Sequence, residues 1–275
     1  MKLQILGSGA AEGIPAPFCS CETCERIRKN GGIDFRTRSS ALVDDCLMLD
    51  VSPDTFCNIW RFHIDLRKLK AIVCTHPHID HLAAAELCLR APDYCDVPEG
   101  DLIPFLGSRA CVEEVQRQLI FDLGRIPELF AFQVLEPFVP VNAAGYQITP
   151  LPARHTPAGQ AFLLLVETPT QRYLHCMDTA MPSEETLAYL QGLHLDGITM
   201  DCTYGDACAP GDSHMDLQTN IRLKERLLAQ GSASKNTVFL LSHISHHATL
   251  SHAELSALAG IHGMAVAHDG FTLQL

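Results

Sequence analysis

The sequence predicts an α/β fold of layered sheets with helices on the outside. Three observations predict it. Short apolar strand runs alternate with capped or amphipathic helices, histidines and aspartates recur just past the C-terminal ends of those strands, and no linker-like or low-complexity stretch divides the 275 residues. Loops at strand ends are where ligands and metals gather. Residues 1–275 are therefore expected to form a single domain.

The elements follow in order. KLQIL is a strand that runs into a Gly-rich turn, GSGAAEG, at residues 7–13. A dinucleotide-binding turn would pass directly into a helix, but Pro15 and Pro17 follow and exclude one. ALVDD and CLMLDV form a hairpin around Asp44 and Asp45. AIVCT (71–75) is a strand buried on both faces, and AAAELCLR after the turn at 76–81 continues as a helix. Residues 92–135 carry helix signals around 109–121 among Pro98, Pro104 and Pro127, with no motif. Strands return at YQITPL (146–151), FLLLVET (162–168) and RYLHCMD (172–178). Ser183 caps a helix with Glu184 and Glu185 in its first turn. GITMD (197–201), a helix over about 216–230 closed by Gly231, and TVFLLS (237–242) come next. Ser251 and Glu254 form a capping box for a last helix that closes at Gly260.

Composition narrows the function. Hydrophobic residues at 47% and charged residues at 19% suit a globular chain, and no apolar run is long enough to span a bilayer. The N-terminus lacks the apolar core of a secretory signal, so a cytoplasmic location and no membrane partner are expected. The net charge of −12 disfavours long nucleic acid as a partner, because Arg26–Lys29 and Arg67–Lys70 are short basic runs that read as solvated helix faces. Most of the twelve cysteines sit singly, several in apolar runs, as small buried hydrophobes of a reducing compartment.

The chemistry concentrates in His76-Pro77-His78-Ile79-Asp80-His81, three imidazoles and a carboxylate on one strand-to-helix turn. In an extended stretch His76 and His78 point the same way, while Asp80 and His81 face another direction, so one loop feeds two metals. An exposed polar loop is the plainer reading, but the apolar strand on one side and the helix on the other oppose it. Further ligands are supplied at three other strand ends: His155, Asp178 (placed to bridge both ions) and His243. Each alone would more often be a hydrogen-bonded structural residue. Together they point to a dinuclear centre. Cys19, Cys21 and Cys24 offer three thiolates, and His246, one turn past His243, is the fourth ligand of a tetrahedral structural zinc. A disulfide with a spare thiol is the alternative. Two divalent cations against Asp80, Asp178 and a hydroxide leave the site near +1, suited to a small anionic phosphodiester.

The THPHIDH motif, followed by His155, Asp178 and His243 in that order, resembles the metallo-β-lactamase superfamily. The resemblance implies an αββα sandwich of two mixed sheets flanked by helices. It also implies that His76, His78 and His155 hold one ion and Asp80, His81 and His243 the other, with Asp178 shared. The N-terminal GSGAAEGIP, the CxCxxC segment and SHISH near the end are similar to the PhnP family, cyclic-phosphate phosphodiesterases of the carbon–phosphorus lyase pathway. That likeness implies a hydrolase of cyclic phosphodiesters (ribosyl 1,2-cyclic phosphate or 2′,3′-cyclic nucleotide type), catalytic manganese or zinc, a structural zinc, a role in phosphonate metabolism and a possible homodimer. It places a leaving-group acid at His214, with Asp80 the other catalytic residue. On the residues themselves His214 is either that acid or a surface histidine at a helix start. Other hydrolases of the same scaffold (thioesterase, lactonase, tRNA 3′-processing nuclease) and the non-hydrolytic pyrroloquinoline quinone biosynthesis type are the competing readings.

Overall fold

The computed structural model describes residues 1–98, 100–155 and 161–275. Among the described residues, fourteen strands form two seven-stranded sheets. The first contains β1 (Lys2–Gly7), β2 (Ser40–Val43), β3 (Leu47–Leu49), β4 (Ala71–Val73), β5 (Ile103–Gly107), β6 (Phe130–Val134) and β14 (Thr272–Gln274), in the order β14-β1-β2-β3-β4-β5-β6. The second contains β7 (Val141–Ala143), β8 (Tyr146–Pro152), β9 (Phe162–Glu167), β10 (Arg172–Cys176), β11 (Gly197–Asp201), β12 (Val238–Ser242) and β13 (Ala265–Val266), in the order β13-β12-β11-β10-β9-β8-β7.

Strand periodicity sorts the core into three layers. Leu3, Ile5, Ala41, Val43, Leu47 and Leu49 meet Ile148, Leu164, Val166, Tyr173 and Leu240 between the sheets. Their neighbours in sequence, Leu42, Met48, Ile72 and Phe105, face the opposite way and pack with Val112, Val115 and Leu119 of α3 (Arg109–Leu123), the helix that follows α1 (Glu22–Asn30) and α2 (Thr55–Phe62) in the chain. On the far face of the second sheet, Leu163, Leu165, Leu174, Ile198 and Leu241 pack with Leu187 and Leu190 of α4 (Glu184–Leu190), Leu223 and Leu227 of α5 (Leu217–Ala229), and Leu255 of α6 (His252–Ile261). Strands buried on both faces must be apolar at consecutive positions, as FLLLVE and VFLLS are. The layers are therefore helix, sheet, sheet, helix, as expected of an αββα sandwich.

Most expected elements are present, including the Ser183 cap and the complete Ser251–Glu254 capping box. Three differences stand out. The segment expected as a helix after the HPHIDH turn is a 3-10 helix, Ala84–Arg90, and it begins only after Val51 and Leu82 form a parallel bridge. The stretch without a motif, residues 92–135, holds two parallel strands, β5 and β6, around α3. Pro104 lies inside β5, where a proline argues against a strand by sequence alone. The third difference is a short helix, Thr55–Phe62, in a segment with no assigned element.

Strand direction positions the site. β3 is parallel to β4, and β10, β11 and β12 are mutually parallel. β8 and β10 both run antiparallel to β9, so they share a direction. Their C-terminal ends thus deliver Asp50, the HPHIDH turn, His155, Asp178, Asp201 and His243 to one edge. The turn after β1 closes that edge: Gly9 bridges both Arg38 and Ile244, and the Ile244 N–H donates to the Ser8 carbonyl at 3.0 Å. Gly7 allows this approach, since a Cβ there would lie 1.9 Å from the Arg38 carbonyl oxygen. Gly7→Ala is expected to lower unfolding stability by about 2 kcal/mol or more, because the clash is with backbone that cannot swing away; chemical denaturation of the two proteins checks it.

Candidate metal centre

Three of the strand-end residues leave the extended conformation abruptly. Asp50 (φ 62°), Asp178 (φ 46°) and His243 (φ 58°) all lie in the left-handed region, which turns each side chain in toward a common centre. Aspartate tolerates that region better than most residues; for His243 it is a cost accepted at a site the surroundings over-determine.

Two donor sets share one carboxylate. His76, His78, His155 and Asp178 offer one ligand atom each within 4.8 Å of one another, and so do Asp80, His81, Asp178 and His243. Asp178 Oδ2 lies 3.1 Å from His76 Nε2, 2.9 Å from His81 Nε2 and 3.6 Å from His155 Nε2, while its Oδ1 lies 2.8 Å from His243 Nε2. His78 Nδ1 is 3.0 Å from His155 Nε2, and His81 Nε2 is 3.3 Å from His243 Nε2. A tetrahedral metal with bonds of 2.0–2.1 Å has ligands about 3.3–3.4 Å apart, so the donor spacing matches coordination. All of these residues except His78 and His155 are buried.

The tautomers agree. Asp50 can only accept, so the His81 Nδ1–H donates to its Oδ2 at 2.7 Å. The Thr75 hydroxyl donates to Asp50 and accepts from His76 Nδ1–H at 3.0 Å. The Thr203 hydroxyl donates to Asp201 Oδ1 and accepts from His243 Nδ1–H at 2.9 Å. His155 Nδ1–H faces the Ser213 carbonyl at 3.3 Å. In all four rings the remaining nitrogen, Nε2, turns an unshared pair to the centre, the arrangement in which outer carboxylates and hydroxyls orient metal-binding histidines. His76 Nε2 and Asp178 Oδ1 are buried without a properly directed hydrogen bond, as befits atoms aimed at an ion.

The charges carry the same message. The ion pairs of Asp50, Asp80, Asp178 and Asp201 are all to histidines, none to Lys or Arg, among the described residues. Burial opposes the charged form of Asp178, yet His243 and His81 hold its pKa well below the usual carboxylate range. Burial likewise opposes charge on His243, but Asp178 and Asp80 raise it to about 10. The carboxylates demand positive charge, and divalent cations meet that demand while leaving the imidazoles neutral. His155 is already biased to the neutral form, its pKa lowered by burial to about 4.

His214 stands beside this centre. Its Nδ1–H donates to Asp201 Oδ2 at 2.8 Å, and its ring stacks on His243 at 5.7 Å between centroids and 12° between planes. Burial works against its charged form, but the Asp201 hydrogen bond and charge outweigh burial and its pKa is raised. Asp201, His214, Asp178 and His243 also lie within metal-binding distance of one another. Asp201 is nonetheless spent: its oxygens accept from the Thr203 N–H and hydroxyl, the Met215 N–H, the Thr179 N–H and His214.

Cys19, Cys21, Cys24 and His246 form a separate group. The Sγ atoms of Cys19 and Cys21 lie 3.6 and 3.5 Å from His246 Nδ1, against about 3.5–3.6 Å between sulfur and nitrogen ligands of a tetrahedral zinc. A backbone N–H of Cys24 and the His246 ring lower the Cys21 thiol to about 6, toward the thiolate that binds metal. Cys24 accepts from the Ala16 N–H at 3.3 Å. The other side of His246 faces the Glu12 carboxylate, with Nε2 at 3.7 Å.

Every residue named from the sequence as a ligand thus falls in one of these groups, and His214 falls beside the shared carboxylate. Sequence reasoning assigned no role to Asp50, Thr75, Thr203 or Asp201, which orient these side chains. A signal for two of them was present, since Asp50 and Asp201 end apolar strands in the same way as Asp178.

The model of the Beta-lactamase superfamily domain matches residues 47–244. The chain is 24% identical over 267 residues to an octanoyltransferase of Porphyromonas gingivalis, covering 94% of this chain and 49% of that one. It spans about half the length of the curated relatives it matches. Two solved structures share the fold over the whole chain: a diphosphatase from the PhnP family (TM-score 0.77, 22% identity, 97% of that chain covered) and Zn2+-bound PqqB of Methylobacterium extorquens (TM-score 0.78, 21% identity, 100% covered).

If Asp50 holds His81 for a metal, Asp50→Asn is expected to weaken divalent-metal affinity roughly 10- to 100-fold with the fold retained. Chelator competition alongside circular dichroism measures both.

Proposed function

We propose, from the premise that this chain belongs to the beta-lactamase superfamily matched over residues 47–244, that it is a metal-dependent phosphodiesterase acting on small cyclic phosphodiesters. In this reading His76, His78 and His155 hold one cation, Asp80, His81 and His243 the other, and Asp178 both. Cys19, Cys21, Cys24 and His246 hold a structural zinc. Divalent cations at the paired site, manganese or zinc, supply Lewis acidity toward phosphoryl oxygens and toward water.

The chain's own residues supply the rest. In the net reaction a water oxygen joins phosphorus, the bond to one ester oxygen breaks, and that oxygen takes a proton, leaving a monoester. His214 is the donor. Asp201 occupies Nδ1, so Nε2 is the nitrogen free to give the proton, and the same carboxylate favours the imidazolium that must be present before transfer. Asp201 also fixes Thr203 and Met215, so one buried carboxylate positions the acid and, through Thr203, the ligand His243. An imidazole held by a buried carboxylate beside a two-cation donor set is the observation that carries the reading: it serves a leaving alkoxide, which a phosphodiester has.

With its metals retained, His214→Ala is expected to lose about 10²- to 10⁴-fold on a 2′,3′-cyclic nucleotide, the range for a positioned general acid. It should lose little on bis(p-nitrophenyl) phosphate, whose leaving group departs without a proton. Steady-state rates on the two substrates measure this, and equal losses on both would remove the acid role.

A further inference from the structure

One buried histidine belongs to neither donor set of the paired centre. His175, on β10, is 2% exposed, and its Nε2 has no hydrogen-bond partner. An unpartnered ring nitrogen at such depth is costly. Tyr173 lies two residues earlier on the same face of β10, and Thr199 of β11 pairs with His175 in register, so all three face the gap between the sheets. Across that gap stands Asp50, just past the end of β3. His175 Nε2 lies 3.9 Å from Asp50 Oδ2. The other partners of this carboxylate among the described residues, Thr75 and His81, both come from the first sheet's side, at the end of β4 and the turn after it.

The ring's tautomer follows from its neighbours. Burial lowers the pKa of His175 to about 4, so the imidazole is neutral and carries one proton. Tyr173 Oη lies 3.0 Å from His175 Nδ1 and 2.6 Å from Thr199 Oγ1. With Thr199 donating to Tyr173 and Tyr173 donating to Nδ1, every hydroxyl is used and the proton sits on Nε2, the nitrogen on the Asp50 side. The reverse order would set an Nε2 lone pair beside a carboxylate, and two acceptors repel. Asp50 itself serves twice. It accepts from the His81 Nδ1–H, and also from the Thr75 hydroxyl that accepts from the His76 Nδ1–H. One carboxylate thereby holds a member of each donor set.

We infer that His175 is a positioning residue: its Nε2–H steadies the Asp50 carboxylate from the second sheet and, through it, orients His81 and His76 toward their cations. At 3.9 Å the pairing is that of an N–H dipole near a charge, longer than a hydrogen bond. The inference rests on the metal-binding reading of the two donor sets, and His175 touches neither cation nor substrate.

Two measurements test it. In protein labelled with 15N-histidine, the His175 signals, assigned by their contacts with the Tyr173 ring, are expected to report the Nε2–H tautomer. A proton on Nδ1 would overturn the inference without any variant. Chelator competition then compares His175→Met, which fills similar volume with no donor, and His175→Gln, whose amide N–H falls where Nε2–H was. Cobalt(II) is the probe, because thiolate ligation gives it a near-ultraviolet charge-transfer band that separates the cysteine group from the paired site. His175→Met is expected to lose about 10-fold in affinity at the paired site, and His175→Gln to stay within about 3-fold of the wild type. Wild-type affinity in His175→Met, or equal losses in both variants, would reduce His175 to core packing and leave the metal reading intact. A wild type that takes up no cobalt outside the cysteine group would overturn both.

Discussion

Four carboxylates, those of Asp50, Asp80, Asp178 and Asp201, are buried together at one edge of two facing sheets, where they pair with imidazoles and, among the described residues, form no ion pair with arginine or lysine. Carboxylates at such depth carry a desolvation cost of several kcal/mol each unless positive charge and hydrogen bonds offset it. Much of the remaining architecture serves that constraint. The inward turns at Asp50, Asp178 and His243, the hydroxyls of Thr75 and Thr203, and the convergence of parallel strand ends all bring compensating groups to the same place. Asp50 and Asp201 hold rings. Asp80 and Asp178 are left facing the centre with ring nitrogens that offer lone pairs. A donor set of this kind suits cations better than protons, because coordination satisfies several acceptors at once.

The cysteine group is tied to the paired centre by a very short piece of chain. His243 serves one group and His246 the other, and between them Ile244 is clamped to Ser8, Gly9 and Ala10 by backbone hydrogen bonds and a bridge. Ser245 donates to Glu12, whose carboxylate also faces His246. The N-terminal turn therefore joins the end of β1 in the first sheet to the end of β12 in the second. Its glycines are there because backbone passes close by: the space a side chain would need at Gly7 is already occupied by residues 37 and 38.

Much of the site was legible because its parts are local. Three imidazoles and a carboxylate in six residues, or three thiols in six, announce metal chemistry wherever the chain goes. Likewise, FLLLVE, GITMD and VFLLS announce strands because each buries both faces. Asp50 was missed because, on the page, it is one acidic residue after LML; its meaning comes from Thr75 and His81, which reach it only when β3 and β4 pair in parallel. The strand at 103–107 is hidden for a similar reason: Pro104 is a weak strand former alone, and pairing of β5 with β4 and β6 overrides that weakness. At 130–134 a signal was present, since FAFQV places Phe130, Phe132 and Val134 at alternate positions.

The amino-acid order alone determined which residue types could bind metal, the periodicity that makes two-sided strands, and the caps that start helices at Ser183 and Ser251. All of these depend on neighbours a few positions apart. The tertiary structure decided which carboxylates are outer supports, which nitrogen of each ring faces inward and what lies beside His214. Those relations join residues tens to more than a hundred positions apart, such as His81 with His243 and Arg154 with Asp212. They exist only once two sheets have stacked and their strand ends have come to a common edge.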